Sequence, residues 1–202
     1  MMNRTISDIF QAKSTADIMS NVLQVYPSLN EEQRNLILCI TCSNGVIPVA
    51  NLLLQKGCQI NQYNNRVIKH AVISGREDVV KFVLDNGADP VDYALIYACE
   101  DNNPGIVKLL LDYGANVDAQ DSRCLRIASE EGYVEIVKLL IKYGTNIGSR
   151  NNYAVRWAAT NNHAEVVKVL VDAGADTTNI ASAQIMMNDL RTVVKNRISY
   201  LT

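Results

Sequence analysis

The strongest constraint on this chain is that it repeats itself. Val79-Val80-Lys81 returns as Ile106-Val107-Lys108, Ile136-Val137-Lys138, Val166-Val167-Lys168 and Val193-Val194-Lys195, at spacings of 27, 30, 30 and 27 residues. Gly87, Gly114, Gly144 and Gly174 each follow one of the first four lysines by six residues. Ala71, Ala98, Ala128 and Ala158 precede the same four apolar pairs by eight. Thr41 and Gly57 mark an earlier copy around Val49-Ala50-Asn51. A period this short does not enclose a core of its own, so the units must bury their apolar faces by stacking on one another.

Each unit reads as two helices. The first is expected to open at Asn65, Asp92, Ser122, Asn152 or Asn179, whose short polar side chains accept from the free N–H groups of a helix start. Behind these caps run Val67-Ile68-Ala71, Ala94-Leu95-Ala98, Cys124-Leu125-Ala128 and Ala154-Val155-Ala158, apolar at helical spacing. A short polar break follows, and then a second helix built on the Val/Ile pair. That helix ends at the glycine, which can close it in the left-handed conformation. Pro48 and Pro104 fall in first turns of second helices, where a missing N–H costs nothing. Hydrophobic residues make up 48% of the chain but aromatic ones only 6%, which fits an aliphatic, alanine-seamed core between helices.

Asp85-Asn86-Gly87-Ala88-Asp89, Asp112-Tyr113-Gly114-Ala115-Asn116 and Asp172-Ala173-Gly174-Ala175-Asp176 resemble the end of the second helix of an ankyrin repeat. The resemblance implies an all-α ankyrin-repeat solenoid of stacked helix–turn–helix units. It divides the chain into an N-terminal helical cap (1–34), five repeats (35–64, 65–91, 92–121, 122–151 and 152–178) and a degenerate sixth repeat acting as C-terminal cap (179–202). In the last, Asn196 and Arg197 replace the buried pair seen as Val169-Leu170. Ankyrin units average about 33 residues and open on Thr-Pro-Leu-His. Here no unit has Thr-Pro, and the missing residues lie between the glycine and the next alanine. The projecting hairpin fingers are therefore expected to be short. Units of this style are similar to those of ankyrin proteins in large DNA viruses.

Residues 1–10 lack the apolar run of a secretory signal, and no stretch reaches the 18 apolar residues of a membrane span. With five cysteines, an odd number, the expectation is an intracellular, cytoplasmic chain without disulfides. A net charge of −2 rules out a phosphate-binding field spread over the whole chain and leaves room only for a local basic patch, so no nucleic-acid partner is expected. Cys39, Cys42, Cys58 and His70 could be read as a zinc set, but cysteines standing where other units place small residues read better as packing. Only two histidines are present, and the glycines serve as punctuation rather than a phosphate loop, so neither an enzyme nor a cofactor is expected. Lys81, Lys108, Lys138 and Lys168 read as a solvated outer face, with Asp78, Glu135 and Glu165 three residues before their lysines.

The family resemblance implies a groove lined by the two residues before each break: Ser43-Asn44, Ile73-Ser74, Glu100-Asp101, Glu130-Glu131 and Thr160-Asn161. Two adjacent acidic pairs point to a basic segment on a partner. Tyr63, Tyr93 and Tyr153 sit at the finger-to-helix corners as exposed anchors, whereas Tyr97 and Trp157 read as packing between repeats. The candidate partner-binding set is Ser74, Tyr93, Glu100, Asp101, Arg123, Glu130, Glu131, Tyr153, Thr160 and Asn161. The expected function is a monomeric, non-catalytic scaffold that binds a protein, a host protein if the chain is viral. The alternative is an adaptor recruiting substrates to a ubiquitin ligase or another host enzyme; it comes second because only Ala181–Thr202 remains after the repeats and that stretch reads as a cap.

Overall fold

The computed structural model describes residues 9–11 and 14–178, and among them the only regular secondary structure is helix. Eleven α-helices follow in order: α1 (Thr15–Val25), α2 (Glu31–Ser43), α3 (Ile47–Gln55), α4 (Gln62–Ile73), α5 (Glu77–Asp85), α6 (Asp92–Glu100), α7 (Pro104–Asp112), α8 (Ala119–Glu131), α9 (Val134–Lys142), α10 (Ser149–Thr160) and α11 (Ala164–Asp172), with a 3-10 turn at Tyr26–Ser28. The expected sixth repeat, with its cap at Asn179 and the segment Ala181–Thr202, lies outside the described residues. The chain divides into two compact units, residues 1–94 and 95–202, and the division falls inside α6.

In the first unit α1 packs on α3, α2 on both α3 and α4, and α4 on α5. In the second, α8 packs on α10, α7 on α9 and α9 on α11, while α8·α9 and α10·α11 form the pairs. First helices thus stack on first helices and second on second. The repeated marks occupy the seams. The pairs Val79-Val80, Ile106-Val107, Ile136-Val137 and Val166-Val167 are buried, as are Ala71, Ala98, Ala128 and Ala158. Each buried aliphatic side chain contributes about 1.5–3 kcal/mol, and the alanines let the helices approach closely enough to collect it. Thr41, which holds the alanine position in the earliest copy, is also buried; its hydroxyl donates to Ile37 O at 2.7 Å and so carries no unmet polar group into the seam.

Second helices close as expected. After α9, Gly144 takes φ 81, its N–H donates to Ile141 O at 3.0 Å and the Thr145 N–H to Leu140 O at 3.1 Å, which satisfies carbonyls left open by the helix end. Second helices also begin as Pro104 suggests: Asn103 caps α7, its side chain accepting from the Ile106 N–H at 3.0 Å. In the N-terminal cap Ser14 caps α1, and Ile18 and Val22 are buried. Leu23, next to Val22 on the same helix, is exposed.

First helices start differently from the expectation. Asn65, Ser122 and Asn152 do not cap. Each is the last of three consecutive left-handed residues: Tyr63-Asn64-Asn65, Gln120-Asp121-Ser122 and Arg150-Asn151-Asn152, all with φ between 50 and 60. Left-handed backbone costs an L-residue about 1–2 kcal/mol, least for Asn and Asp, and the middle residues are Asn64, Asp121 and Asn151. The outward carbonyls of these turns are met by side chains from the following helices. Arg126 donates from Nη2 to Gln120 O and from Nε to Asp121 O, both at 3.2 Å. Arg156 reaches Arg150 O at 3.4 Å, and the Tyr93 hydroxyl lies 2.8 Å from both Asn64 O and Asn65 O.

Candidate functional site

In the second unit the ends of α6, α8 and α10 carry the acidic positions. Glu100, Glu130 and Thr160 occupy equivalent places, and Asp101, Glu131 and Asn161 the next ones. The beginning of each following first helix reaches back to the preceding helix end. Arg123 Nη2 donates to Glu100 Oε1 at 3.1 Å, and Tyr153 OH to Glu130 Oε2 at 3.1 Å. Burial first, and then this hydrogen bond, push the Tyr153 phenol upward, so it remains the donor. The Glu130 carbonyl accepts from Asn161 Nδ2 at 2.7 Å and His163 Nε2 at 2.9 Å. His163 thus ties one inter-helix turn to the preceding one. Its ring also fills the space beside Gly132, where a Cβ would stand 2.6 Å from Nδ1.

This arrangement separates the four carboxylates into two kinds. Glu100 and Glu130 hold successive first helices together. Asp101 and Glu131 are exposed, and neither side chain has a hydrogen-bond or ion-pair partner among the described residues. Arg123 and Tyr153, expected to meet a partner directly, spend their polar ends on these internal links. Thr160 back-bonds to Arg156 O at 2.9 Å.

Trp157 departs from its expected packing role. It is 37% exposed, and its ring centroid lies 5.5 Å from that of Tyr153 at an interplanar angle of 31°. Arg126 also lies over Tyr153, its guanidinium carbon 5.3 Å from the ring centroid. The result is an aromatic pair on α10, Trp157 exposed and Tyr153 half-buried, with Tyr153 held by a cation and by Glu130. The sequence did carry a signal for it: Trp157 stands four residues after Tyr153, so two large rings share one helix face.

In the first unit Ser74 Oγ donates to Ala71 O at 2.6 Å and closes α4. Tyr93 braces the left-handed turn within the start of α4, so its hydroxyl is structural. Ser43 Oγ, at the position equivalent to Glu130, lies 2.9 Å from His70 Nδ1 and likewise links the end of one first helix to the next. Burial, followed by the nearby charges of Arg66 and Lys69, lowers the His70 pKa and keeps the ring neutral. Ile73 is 52% exposed beside Ser74.

Cys39 and Cys42 are buried, and burial raises their thiols to about 11 and about 12. Cys39 Sγ lies 3.7 Å from Asn35 Oδ1 and behaves as a small buried hydrophobe with a weak donor. Among the described residues no three His, Cys, Asp or Glu side chains come close enough to share a metal. On the second helices Lys81 pairs with Asp85 at 2.8 Å, Lys108 with Asp112, and Lys168 with Asp172 at 3.5 Å, all one helical turn forward. Lys138 alone among these pairs backward, to Glu135 at 2.8 Å, and reaches Glu165 of the next unit at 3.6 Å. Asp78, expected opposite Lys81, instead holds Arg76 at 2.8 Å. No helix among the described residues is long and apolar enough to cross a membrane.

Comparison with known proteins agrees with this geometry. A sequence model described as ankyrin repeats (3 copies) matches residues 11–94 and again 95–181. Ankyrin repeat protein R837 of Acanthamoeba polyphaga mimivirus is 40% identical over 59 residues, 29% of this chain and 9% of that protein. Ankyrin repeat protein FPV014 of fowlpox virus is 31% identical over 126 residues, 57% of this chain and 27% of that protein. The matched stretches thus cover less than a third of either viral relative. Among solved structures, the human ASB11 ankyrin repeat domain superposes with a TM-score of 0.59 at 23% identity, covering 69% of this chain and 70% of that one, a likeness of fold.

Proposed function

The chain belongs to the ankyrin repeat family, whose members are generally non-catalytic modules for protein–protein interaction, and we propose that it binds a partner protein through the first-helix ends of its second unit. The observation that carries this reading is the Tyr153–Trp157 ring pair, with Trp157 37% exposed, in the same unit as two exposed carboxylates without partners among the described residues, Asp101 and Glu131. Large rings held rigidly supply contact area at little entropic cost, and carboxylates at the rim select charge and speed encounter. The partner segment is therefore basic, with an aliphatic or aromatic residue that seats on Trp157. Glu100, Arg123, Glu130 and Tyr153 position this surface, while Thr160 and Asn161 border it. Ser74 and Tyr93 do the same work on the first unit. The chain acts as a monomer, in the cytoplasm of a host cell if it is viral.

Basic and acidic peptide pools, fluorescently labelled and titrated against the full chain, test the reading. Basic peptides should bind, and Trp157→Ala should weaken them by about tenfold or more. The pair Asp101→Lys with Glu131→Lys should abolish binding, with an unchanged circular dichroism spectrum. Equal binding of acidic and basic pools, or indifference to the charge reversal, would overturn it.

A further inference from the structure

A second site stands apart from the first-helix ends. In the first unit a polar cavity of about 210 Å³ opens between the 3-10 turn, the start of α2 and the short finger that follows α3; Tyr26, Arg34, Asn35, Lys56, Cys58 and Gln59 line it, with Glu31 and Gln62 at one side. It is several times a water's share of liquid volume, about 30 Å³. Its walls are tied to one another. Tyr26 OH donates to Lys56 O at 3.0 Å and Asn35 Nδ2 to Gln59 O at 3.0 Å, which pins the finger to the helix. Gln62 Nε2 donates to Glu31 Oε1 at 2.7 Å.

The cations differ from those on the second helices. Lys81, Lys108, Lys138 and Lys168 each have a carboxylate, whereas neither Arg34 nor Lys56 has an ion-pair partner among the described residues. The Arg34 guanidinium lies over the Tyr26 ring, its carbon 4.5 Å from the centroid, and this contact helps fix the fork's position. Its Nε is enclosed and has no hydrogen-bond partner, an unmet donor in a charged group. Two cations and the Glu31 carboxylate leave the cavity one positive charge.

We propose that this cavity binds a carboxylate, received by the Arg34 guanidinium with Lys56 as the second charge. A planar monoanion matches both the guanidinium fork and the single net charge. A phosphate dianion would meet Glu31 with excess negative charge. The carboxylate can come from a small free acid or from an acidic side chain of a peptide, and both present the same group.

Two-dimensional NMR of the full chain, following the arginine Nε–H and backbone amide signals during titration, tests the site with three probes: acetate, N-acetyl-glutamate amide and inorganic phosphate. Acetate should give saturable shifts at Arg34 and along 56–59, with phosphate about tenfold weaker. Tighter binding of the blocked glutamate than of acetate would assign the site to acidic side chains; equal binding would assign it to free acids. Arg34→Gln should weaken acetate by about tenfold. Lys56→Gln, at an exposed position that leaves the Tyr26 stack intact, should weaken it by a smaller factor. Glu31→Gln raises the net charge by one and should bring phosphate level with acetate. Linear, non-saturating shifts, shifts unchanged in both Arg34→Gln and Lys56→Gln, or phosphate equal to acetate in the parent chain would each overturn the proposal.

Discussion

Two junctions within the first unit solve the same problem with different numbers of residues. Counted to equivalent positions, Cys58 to Asn65 after Gly57 are eight residues, and Ala88 to Asp92 after Gly87, with Asp92 already the first residue of α6, are five. The longer junction contains three left-handed residues, Tyr63-Asn64-Asn65, and the shorter contains none, turning instead at Pro90. The extra three residues of a 30-residue unit are thus absorbed as one left-handed turn. Ala71 and Ala98, the alanines that follow the two junctions, are equally buried. The longer junction adds backbone strain and must have its carbonyls met by Tyr93, Arg126 or Arg156. In exchange it positions side chains that reach forward to the next finger. Asn61 accepts from the Asp89 N–H at 3.0 Å and donates to Gly87 O at 2.9 Å. At the equivalent position Asp118 accepts from Ser122 Oγ, Thr145 Oγ1 and the Asn146 N–H, all at 2.7–2.8 Å.

The sharpest way to break this comparison is a β-branched residue in each junction. Asn64→Val places a branched side chain at φ 60 and should cost about 1–3 kcal/mol. Asp89→Val, in the short junction, should stay within about 0.5 kcal/mol. Urea denaturation midpoints decide it, and equal losses would remove the left-handed turn from the account.

Asp118→Ala should cost about 1–3 kcal/mol by stripping three donors of their acceptor. Burial raises the Asp118 pKa, but the Asn146, Ser122 and Thr145 hydrogen bonds outweigh it and hold the carboxyl below the ordinary 3.8. A depressed carboxylate stabilises the fold above its unfolded pKa and loses that contribution as pH falls through its folded value. The parent and Asp118→Ala should therefore converge below pH 3.8 in thermal melts. Asn61→Ala, at the neutral counterpart, should lose a similar amount with no such convergence.

Tyr93→Phe removes the hydroxyl that meets Asn64 O and Asn65 O and should cost about 0.5–1.5 kcal/mol. The smallest effect is a gain. Asn151→Gly at φ 58 should stabilise by about 0.5 kcal/mol, since glycine takes this conformation without strain. A loss on Asn151→Gly would mean that the asparagine side chain, rather than its backbone, holds the turn.

The repeat register was legible because burial imposes it. A stacked unit tolerates only small residues at 71, 98, 128 and 158 and only apolar ones at the Val/Ile pairs, so the period is written in the sequence. The helix starts were legible in position but not in conformation. Asn and Ser favour caps because their side chains bond nearby backbone, and short polar side chains are also those that enter left-handed backbone at least cost. The residues are the same, so local chemistry could not separate the two uses. Trp157 was misread for a related reason: its position recurs as His70, Tyr97 and Ile127, which are half-buried, and only the stacking geometry leaves the largest side chain partly outside.

The sequence by itself determined the helical units, their period, the buried faces and the short fingers, because each follows from side-chain size and polarity repeated in register. Only the tertiary structure decided which carboxylates are available. Glu100 meets Arg123 and Glu130 meets Tyr153, each 23 residues ahead, because stacking sets a helix start beside the preceding helix end. Asp101 and Glu131, the next residue in each case, are exposed and have no such partner among the described residues.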